Sequence, residues 1–376
     1  MKDISYEILD LFKTYGSTRE GMDQALEQDE RPQVLHALSP IRENLLEWLD
    51  LTGQEQVLEI GSGYGVFTGL LAERCAHVTV VDDRDENLLV NRERNQARGN
   101  ITYGLEAGEG LPDRGDLPDR GDLEGRESLY DWVFLVGPGR EEPLEETVRR
   151  AAGYLKDGGR FVFACENAMG LRFLAGGGHD GEEASYTKGR LMSAFHEAGF
   201  TSMEFYYPMP DYRLPASIYS DRYLPGKGSI THMDVSYDRP RYACLNEEEV
   251  YDMLLEEGDF PRFSNGFLLI ASKEAPLQKT VYVKYNRTRK QGFQIRTSIL
   301  EENGTRYVEK AALDSEGSWH ILSFAKKYAQ LKAFNPSVRV LEPLLAEDGM
   351  TVRFRFLRGI TLAEELGSRI RNGKAP

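Results

Sequence analysis

Three glycines at alternate positions, Gly61, Gly63 and Gly65, follow Glu59 at the end of a short apolar run and lead straight into a helical pattern. Glycine lets a backbone turn tightly and approach a ligand that a Cβ would exclude. The N–H groups that open the next helix then face that ligand. A dinucleotide fingerprint, G-x-G-x-x-G, would need its third glycine where Val66 stands. The spacing here is G-x-G-x-G, which suits a ligand without a pyrophosphate. A second apolar run ends Val80-Val81-Asp82, where a carboxylate can accept hydrogen bonds from both hydroxyls of a ribose. A nicotinamide ligand and a purely structural glycine turn remain open as other readings of this loop.

Such residues need elements to hold them. Val57–Ile60, Val78–Asp82, Ile101–Leu105, Asp131–Val136, Arg160–Cys165 and Ser202–Tyr207 read as strands. Phe67–Arg74, Glu86–Arg98, Pro143–Leu155 and Lys188–Ala198 read as helices between them. This alternation specifies a doubly wound α/β fold, a parallel sheet with helices on both faces. Residues 1–50 read as a helical segment, with Ser39 as a cap and Pro40 at a first helical position. Phe267–Ala271 is a last strand, and residues 208–263 before it are expected to form a lid over the ligand-binding edge. The hexapeptide Leu111–Asp116 is repeated at once as Leu117–Asp122, a surface loop that tolerates added length.

Residues 35–272 resemble the Rossmann-fold S-adenosylmethionine-dependent methyltransferases. Glu59, Gly61, Gly63 and Gly65 match that family's first motif, with Ser62 and Tyr64 of the same loop expected to bind the cofactor, and Asp82 matches its ribose-binding acid. The resemblance implies S-adenosylmethionine as cofactor, Asp83 beside the ribose, Glu106 flanking adenine and Gly137 against the methionyl part. It also implies a mostly parallel seven-stranded sheet whose final two strands are an antiparallel pair. LSPIRENLLEWL before the motif, Cys165–Leu171, Phe205–Tyr212 and Ile218–Asp221 resemble a bacterial subgroup similar to methyltransferases that accompany glycosyltransferases in surface-polysaccharide synthesis. That likeness implies a sugar hydroxyl of a cell-surface glycan intermediate as acceptor and a glycosyltransferase as partner. A non-catalytic module that binds the cofactor without transfer is the rival reading.

Methyl transfer from a sulfonium is an in-line displacement, so a protein must align the acceptor and take its proton. His179, beside Asp180 in a glycine-rich loop, and Asp211 are the candidate bases. Glu166 and Asn167 end the fifth strand and are expected to line the acceptor pocket. Tyr207, Tyr212, Tyr219 and Asp221 resemble a carbohydrate-binding surface, where rings stack on sugar faces. The same pattern also fits an aromatic lid packed on itself. No His, Cys, Asp and Glu spacing suggests a metal site.

The net charge of −15 is unevenly placed. Residues 277–376 carry 18 Lys and Arg against 10 Asp and Glu, leaving 28 against 51 in residues 1–276. So acidic a first part repels a phosphate backbone, and no nucleic-acid substrate is expected. No apolar run reaches the ~20 residues of a membrane span, and no secretory signal is visible at the start. Cys75, Cys165 and Cys244 stand alone, which fits a reducing cytoplasm.

The sign change marks a boundary between a domain at 51–275 and a small basic α+β lobe at 277–376. Phe293–Leu300 and Arg306–Ala311 suggest a hairpin, Ser318–Lys332 a helix, and Arg339–Leu345 and Thr351–Phe356 further strands. This order resembles the N-terminal lobe of kinase-like domains, with Lys310 at the phosphate-binding lysine and Glu316 as its partner. No glycine-rich loop or metal-binding aspartate accompanies it, so no phosphoryl transfer is expected.

Overall fold

The computed structural model describes residues 4–105, 129–139, 142–177, 183–230, 245–274, 278–287, 289–334, 340–359, 362–371 and 373. The strands are β1 Gln56–Ile60, β2 His77–Asp82, β3 Ile101–Leu105, β4 Tyr130–Val136, β5 Leu155–Asn167, β6 Ser185–Tyr186 and β7 Ser202–Met209. They continue as β8 Ser217–Ser220, β9 Gly266–Ser272, β10 Thr280–Asn286, β11 Ile295–Glu302, β12 Thr305–Ala312, β13 Leu344–Leu345 and β14 Thr351–Arg355. All belong to one sheet in the order β3-β2-β1-β4-β5-β9-β7-β8-β10-β11-β12-β14-β13, with β6 paired to the end of β5.

β1 lies parallel to both β2 and β4. The chain therefore winds one way through β1, β2 and β3 and the other way through β4 and β5. A crevice opens at such a reversal, outside the carboxyl ends of β1 and β4. β9 is antiparallel to both β5 and β7, which makes β7 parallel to β5 and brings its end to the same edge. Every residue of β9 is buried, as a central strand covered on both faces requires. Alternate residues feed the two cores: Phe161 and Phe163 point to one face, Val162 and Ala164 to the other.

The expected α/β arrangement is present in the order β3-β2-β1-β4-β5-β9-β7, but the sheet does not stop there. β8, from the stretch read as a lid, pairs antiparallel with β7, and β10 pairs with β8. The free edge of β7 offers unpaired N–H and C=O groups, and β8 satisfies them. The basic C-terminal region thus extends the main sheet instead of standing apart as a lobe. Its hairpin turns at Asn303-Gly304, both at positive φ, as a two-residue turn demands. Lys310 donates to Thr297 Oγ1 at 3.1 Å, and among the described residues no ion pair joins it to Glu316.

The N-terminal segment supplies helices Ser5–Tyr15, Arg19–Gln28 and Pro32–Leu38, then a 3-10 turn at Pro40–Leu45. Ile4, Ile8, Phe12, Val34 and Leu38 pack with Val90 of the helix that follows β2. The residues after the turn tie the C-terminal strands down. Arg296 reaches Glu47 at 3.1 Å, and the Tyr285 hydroxyl donates to the same carboxylate at 2.8 Å. Burial pushes the Glu47 carboxyl up, but Arg296 and Tyr285 together outweigh it and hold it below its ordinary value.

A depressed carboxyl stabilises the fold fully above its unfolded value and loses that contribution as pH falls through the folded value. Glu47→Gln should therefore cost about 1–3 kcal/mol at pH 7, and the gap should close in acid. Urea unfolding of both proteins at pH 7 and at pH 4 and below checks this. A gap that stays constant would show that the carboxylate is not the tie.

Candidate active site

The glycine loop is shaped by what surrounds it. Gly61, Gly63 and Gly65 take φ of 68°, 52° and 73°, the left-handed region that side chains rarely enter. At Gly65 space forbids a side chain as well, since a Cβ would lie 2.4 Å from Asn91 Oδ1. Asp82 holds the loop from the end of β2. Its Oδ2 accepts from Gly63 N at 2.8 Å and Ser62 Oγ at 3.2 Å. Its Oδ1 accepts from Arg84 N at 3.1 Å and Asn87 Nδ2 at 2.9 Å. Burial raises the Asp82 carboxyl and these donors counter it. Asp83 next to it is exposed, and Tyr64 packs against the N-terminal helical cluster.

Beneath the loop lies a buried polar chain. Thr68 Oγ1 donates to Glu59 Oε2 at 2.6 Å, and Asn91 Nδ2 donates to Thr68 Oγ1 at 2.8 Å. Asn95 Nδ2 donates to Asn91 Oδ1 and to the Gly65 carbonyl. Burial pushes the Glu59 carboxyl up to about 8, against the Thr68 hydrogen bond and the field of Arg42. Sequence reasoning missed Thr68, Asn91 and Asn95. The available signal was Asn91 and Asn95, four apart on a helix face directed at the loop.

Across the crevice, Gly137 follows β4 at φ 74°. A Cβ there would meet Glu183 Oε1 at 3.3 Å and the Tyr212 hydroxyl at 3.4 Å. Those two groups belong to a charge cluster in which Glu183 is half-buried and Tyr212, Glu166, Arg172, Asp211 and Arg213 are buried. Arg213 Nη2 lies 2.9 Å from Glu166 Oε1 and 2.8 Å from Glu183 Oε2, and the Tyr212 hydroxyl donates to Glu183. Arg172 stands 3.5 Å from Glu166 and 3.6 Å from Asp211. Asp211 Oδ1 also accepts from Arg213 N and Leu214 N. Burial raises the Glu166 carboxyl, with Arg213 and Arg172 opposing. Burial also works on Glu183, but Arg213 and Tyr212 hold it below its ordinary value.

Arg42 bridges the two halves. Its Nη1 donates to the His36 carbonyl at 2.8 Å and its guanidinium lies 5.4 Å from the centre of the Phe67 ring. Glu183, Tyr212, Arg213 and Asp211 act on it from one side, and its own field reaches Glu59 on the other. No ion pair among the described residues engages it, and its Nε has no hydrogen-bond partner. Neither Arg42, Arg172 nor Glu183 was singled out from the sequence, because no spacing links them.

Other expected residues are placed elsewhere. Asn167 is consumed as a bracket, donating to the Arg262 and Ser264 carbonyls and accepting from Met169 N. Tyr207 hydrogen-bonds Asp221, and Lys188 reaches both, at 2.7 Å and 2.8 Å. Tyr219 packs on Tyr282, ring centres 4.9 Å apart, and on Phe260. Tyr207, Tyr212 and Tyr219 are at most 6% exposed, so no ring face stands open to a sugar. Glu106, His179 and the tandem hexapeptide lie outside the described residues. Among those described, no group of three or more potential ligands could hold a metal ion.

Residues 41–103 match the family model described as ribosomal RNA adenine dimethylase. The matched span holds the glycine loop and Asp82, whereas Gly137, Glu166, Glu183 and Tyr212 lie beyond it. Among curated proteins none matches the chain. A SAM-dependent methyltransferase of Thermotoga maritima is 13% identical over 71% of this chain and 100% of its own, with a TM-score of 0.39. An S-adenosylmethionine-dependent methyltransferase of Mesorhizobium loti is 16% identical over 61% and 97%, TM-score 0.36. Geranyl diphosphate C-methyltransferase of Streptomyces coelicolor A3(2) is 16% identical over 64% and 82%, TM-score 0.37. The chain has the Rossmann-like α/β fold that the sequence implied, with the G-x-G-x-G loop after β1 and the Asp82 carboxylate at the end of β2 meeting at the carboxyl edge of its sheet.

A carboxyl raised to about 8 gives its full stabilising contribution below the ordinary value of 4.5 and loses it as pH rises through 8. Glu59→Gln should therefore gain stability relative to the parent as pH rises from 5 to 9. Thermal melts across that range test it, and a pH-independent difference would count against a protonated Glu59.

Proposed function

We propose that this chain transfers a methyl group from S-adenosylmethionine to a sugar hydroxyl of a surface-glycan intermediate. The observation that carries the transfer is one crevice with Asp82 on one wall and Gly137, Glu183 and Tyr212 on the other. Asp82 suits the ribose hydroxyls, because a carboxylate accepts from both at once. Arg42 suits the methionyl carboxylate: it is a cation that no ion pair engages among the described residues, set between the walls. Bound there, the cofactor supplies an electrophilic methyl group on a sulfonium.

The acceptor oxygen forms the new bond to carbon as the carbon–sulfur bond breaks, and its proton passes to a base. Glu166 is best matched to that task, because burial has raised its carboxyl toward the working pH. Asp211 is pinned by two backbone N–H groups and serves to orient Arg213. His179 stays a candidate from the sequence. The sugar acceptor rests on the sequence likeness to the polysaccharide subgroup. Mass spectrometry of surface glycans with and without the protein should show sugars that lose one methyl group in its absence; unchanged glycans would remove this acceptor.

Two substitutions test the cofactor geometry by calorimetry. Asp82→Ala should weaken S-adenosylmethionine by about 1–3 kcal/mol. Arg42→Ala should weaken it by roughly tenfold or more yet leave decarboxylated S-adenosylmethionine unaffected. Equal losses for both ligands would take Arg42 away from the carboxylate.

A further inference from the structure

The helix Ser318–Phe334, between β12 and β13, is 17 residues long, yet Ile321 is its one buried side chain among those described. Trp319 is 51% exposed, Leu322 49%, Leu331 51% and Phe334 88%. At ~100° per residue, Trp319, Leu322 and Phe334 fall on the half of the helix opposite Ile321 and Leu331 at its border, interleaved with exposed Lys326 and Lys327. The helix contains no Asp or Glu, and no ion pair among the described residues engages Lys326, Lys327 or Lys332. Arg289, Lys310 and Lys327 are all close enough to His320 to act on it, so the basic character extends past the helix itself. Lys310 in turn feels Arg289 and Lys284.

We propose that this face docks the protein on an anionic phospholipid surface. Charge decides the kind of partner. A chain of net charge −15 gathers cations here that no ion pair engages among the described residues, around exposed rings and leucines. Rings and leucines sink to the acyl boundary while lysine stems let ammonium groups stay among phosphates. No helix of the described residues is long and apolar enough to cross a membrane, so the contact is peripheral. The proposal stands apart from the methyl-transfer reading, since none of these residues lines the crevice.

The test uses the full 376-residue chain with vesicles of equimolar phosphatidylglycerol and phosphatidylcholine, and with phosphatidylcholine alone. Trp48 and Trp132 are 2% and 3% exposed, so a vesicle-dependent blue shift in emission reports Trp319. The anionic vesicles should sediment the protein and shift its emission, less so as salt is raised, and the neutral ones should do neither. Lys326→Glu with Lys327→Glu should weaken sedimentation roughly thirtyfold, at about fivefold per basic residue. Trp319→Ser should abolish the shift. Circular dichroism and S-adenosylmethionine binding should be unchanged in both variants. Failure to sediment with anionic vesicles would overturn the proposal, as would equal sedimentation of the double-lysine variant. So would a concentration-dependent dimer that already buries Trp319 and that the same variant dissolves, which would assign the face to a second copy.

Discussion

The carboxylate of Asp82 is the point on which the cofactor side of the structure turns. It accepts from Gly63 N and Ser62 Oγ on one side and from Arg84 N and Asn87 Nδ2 on the other. The loop after β1 can bring its N–H there only by passing through left-handed conformations at Gly61, Gly63 and Gly65. With the loop so bent, Gly65 lies against Asn91, and Asn91 in turn holds Thr68 against Glu59. A side chain at Gly65 would break both ends of that chain. The glycine spacing is therefore the visible part of a buried network that extends into two helices.

The opposite wall depends on β9. Lying antiparallel between β5 and β7, it returns the chain to the edge at Gly266, beside the end of β5. A Cβ at Gly266 would crowd the Cys165 carbonyl at 3.1 Å and Tyr212 at 3.2 Å, so glycine lets the 210–213 segment settle over Glu166. Asn265 fixes that segment by donating to the Pro210 carbonyl at 2.9 Å and accepting from Arg172 N at 2.8 Å. Residues far apart in sequence, 166, 172, 183 and 211–213, meet because this one strand runs backwards.

Local features were legible in the sequence, and convergent ones were not. The strands β1 to β5 follow from contiguous apolar runs, and the loop from a fixed spacing ending in Asp82. Glu183 and Arg42 carry no such mark, since a lone charge reads the same on a surface as in a cluster. Tyr207 and Tyr219 show why composition misleads: tyrosines among Asp and Arg look like a sugar platform until burial is known. Their register, Tyr207 opposite Tyr219, turns both rings into one core. The alternation in Thr280–Asn286 was a readable strand signal, and reading it would have joined the C-terminal region to the main sheet.

Burial acts on Glu59 beneath the loop and on Arg42 beside it in opposite senses. It raises Glu59 toward its neutral form and lowers Arg42 from its ordinary value. Each is penalised for being charged, and Glu59 lies within the field of Arg42 without a direct ion pair between them among the described residues. Thr68 already donates to Glu59, so the charge left for an incoming anion to relieve is that of Arg42, whose guanidinium sits on the His36 carbonyl and the Phe67 ring.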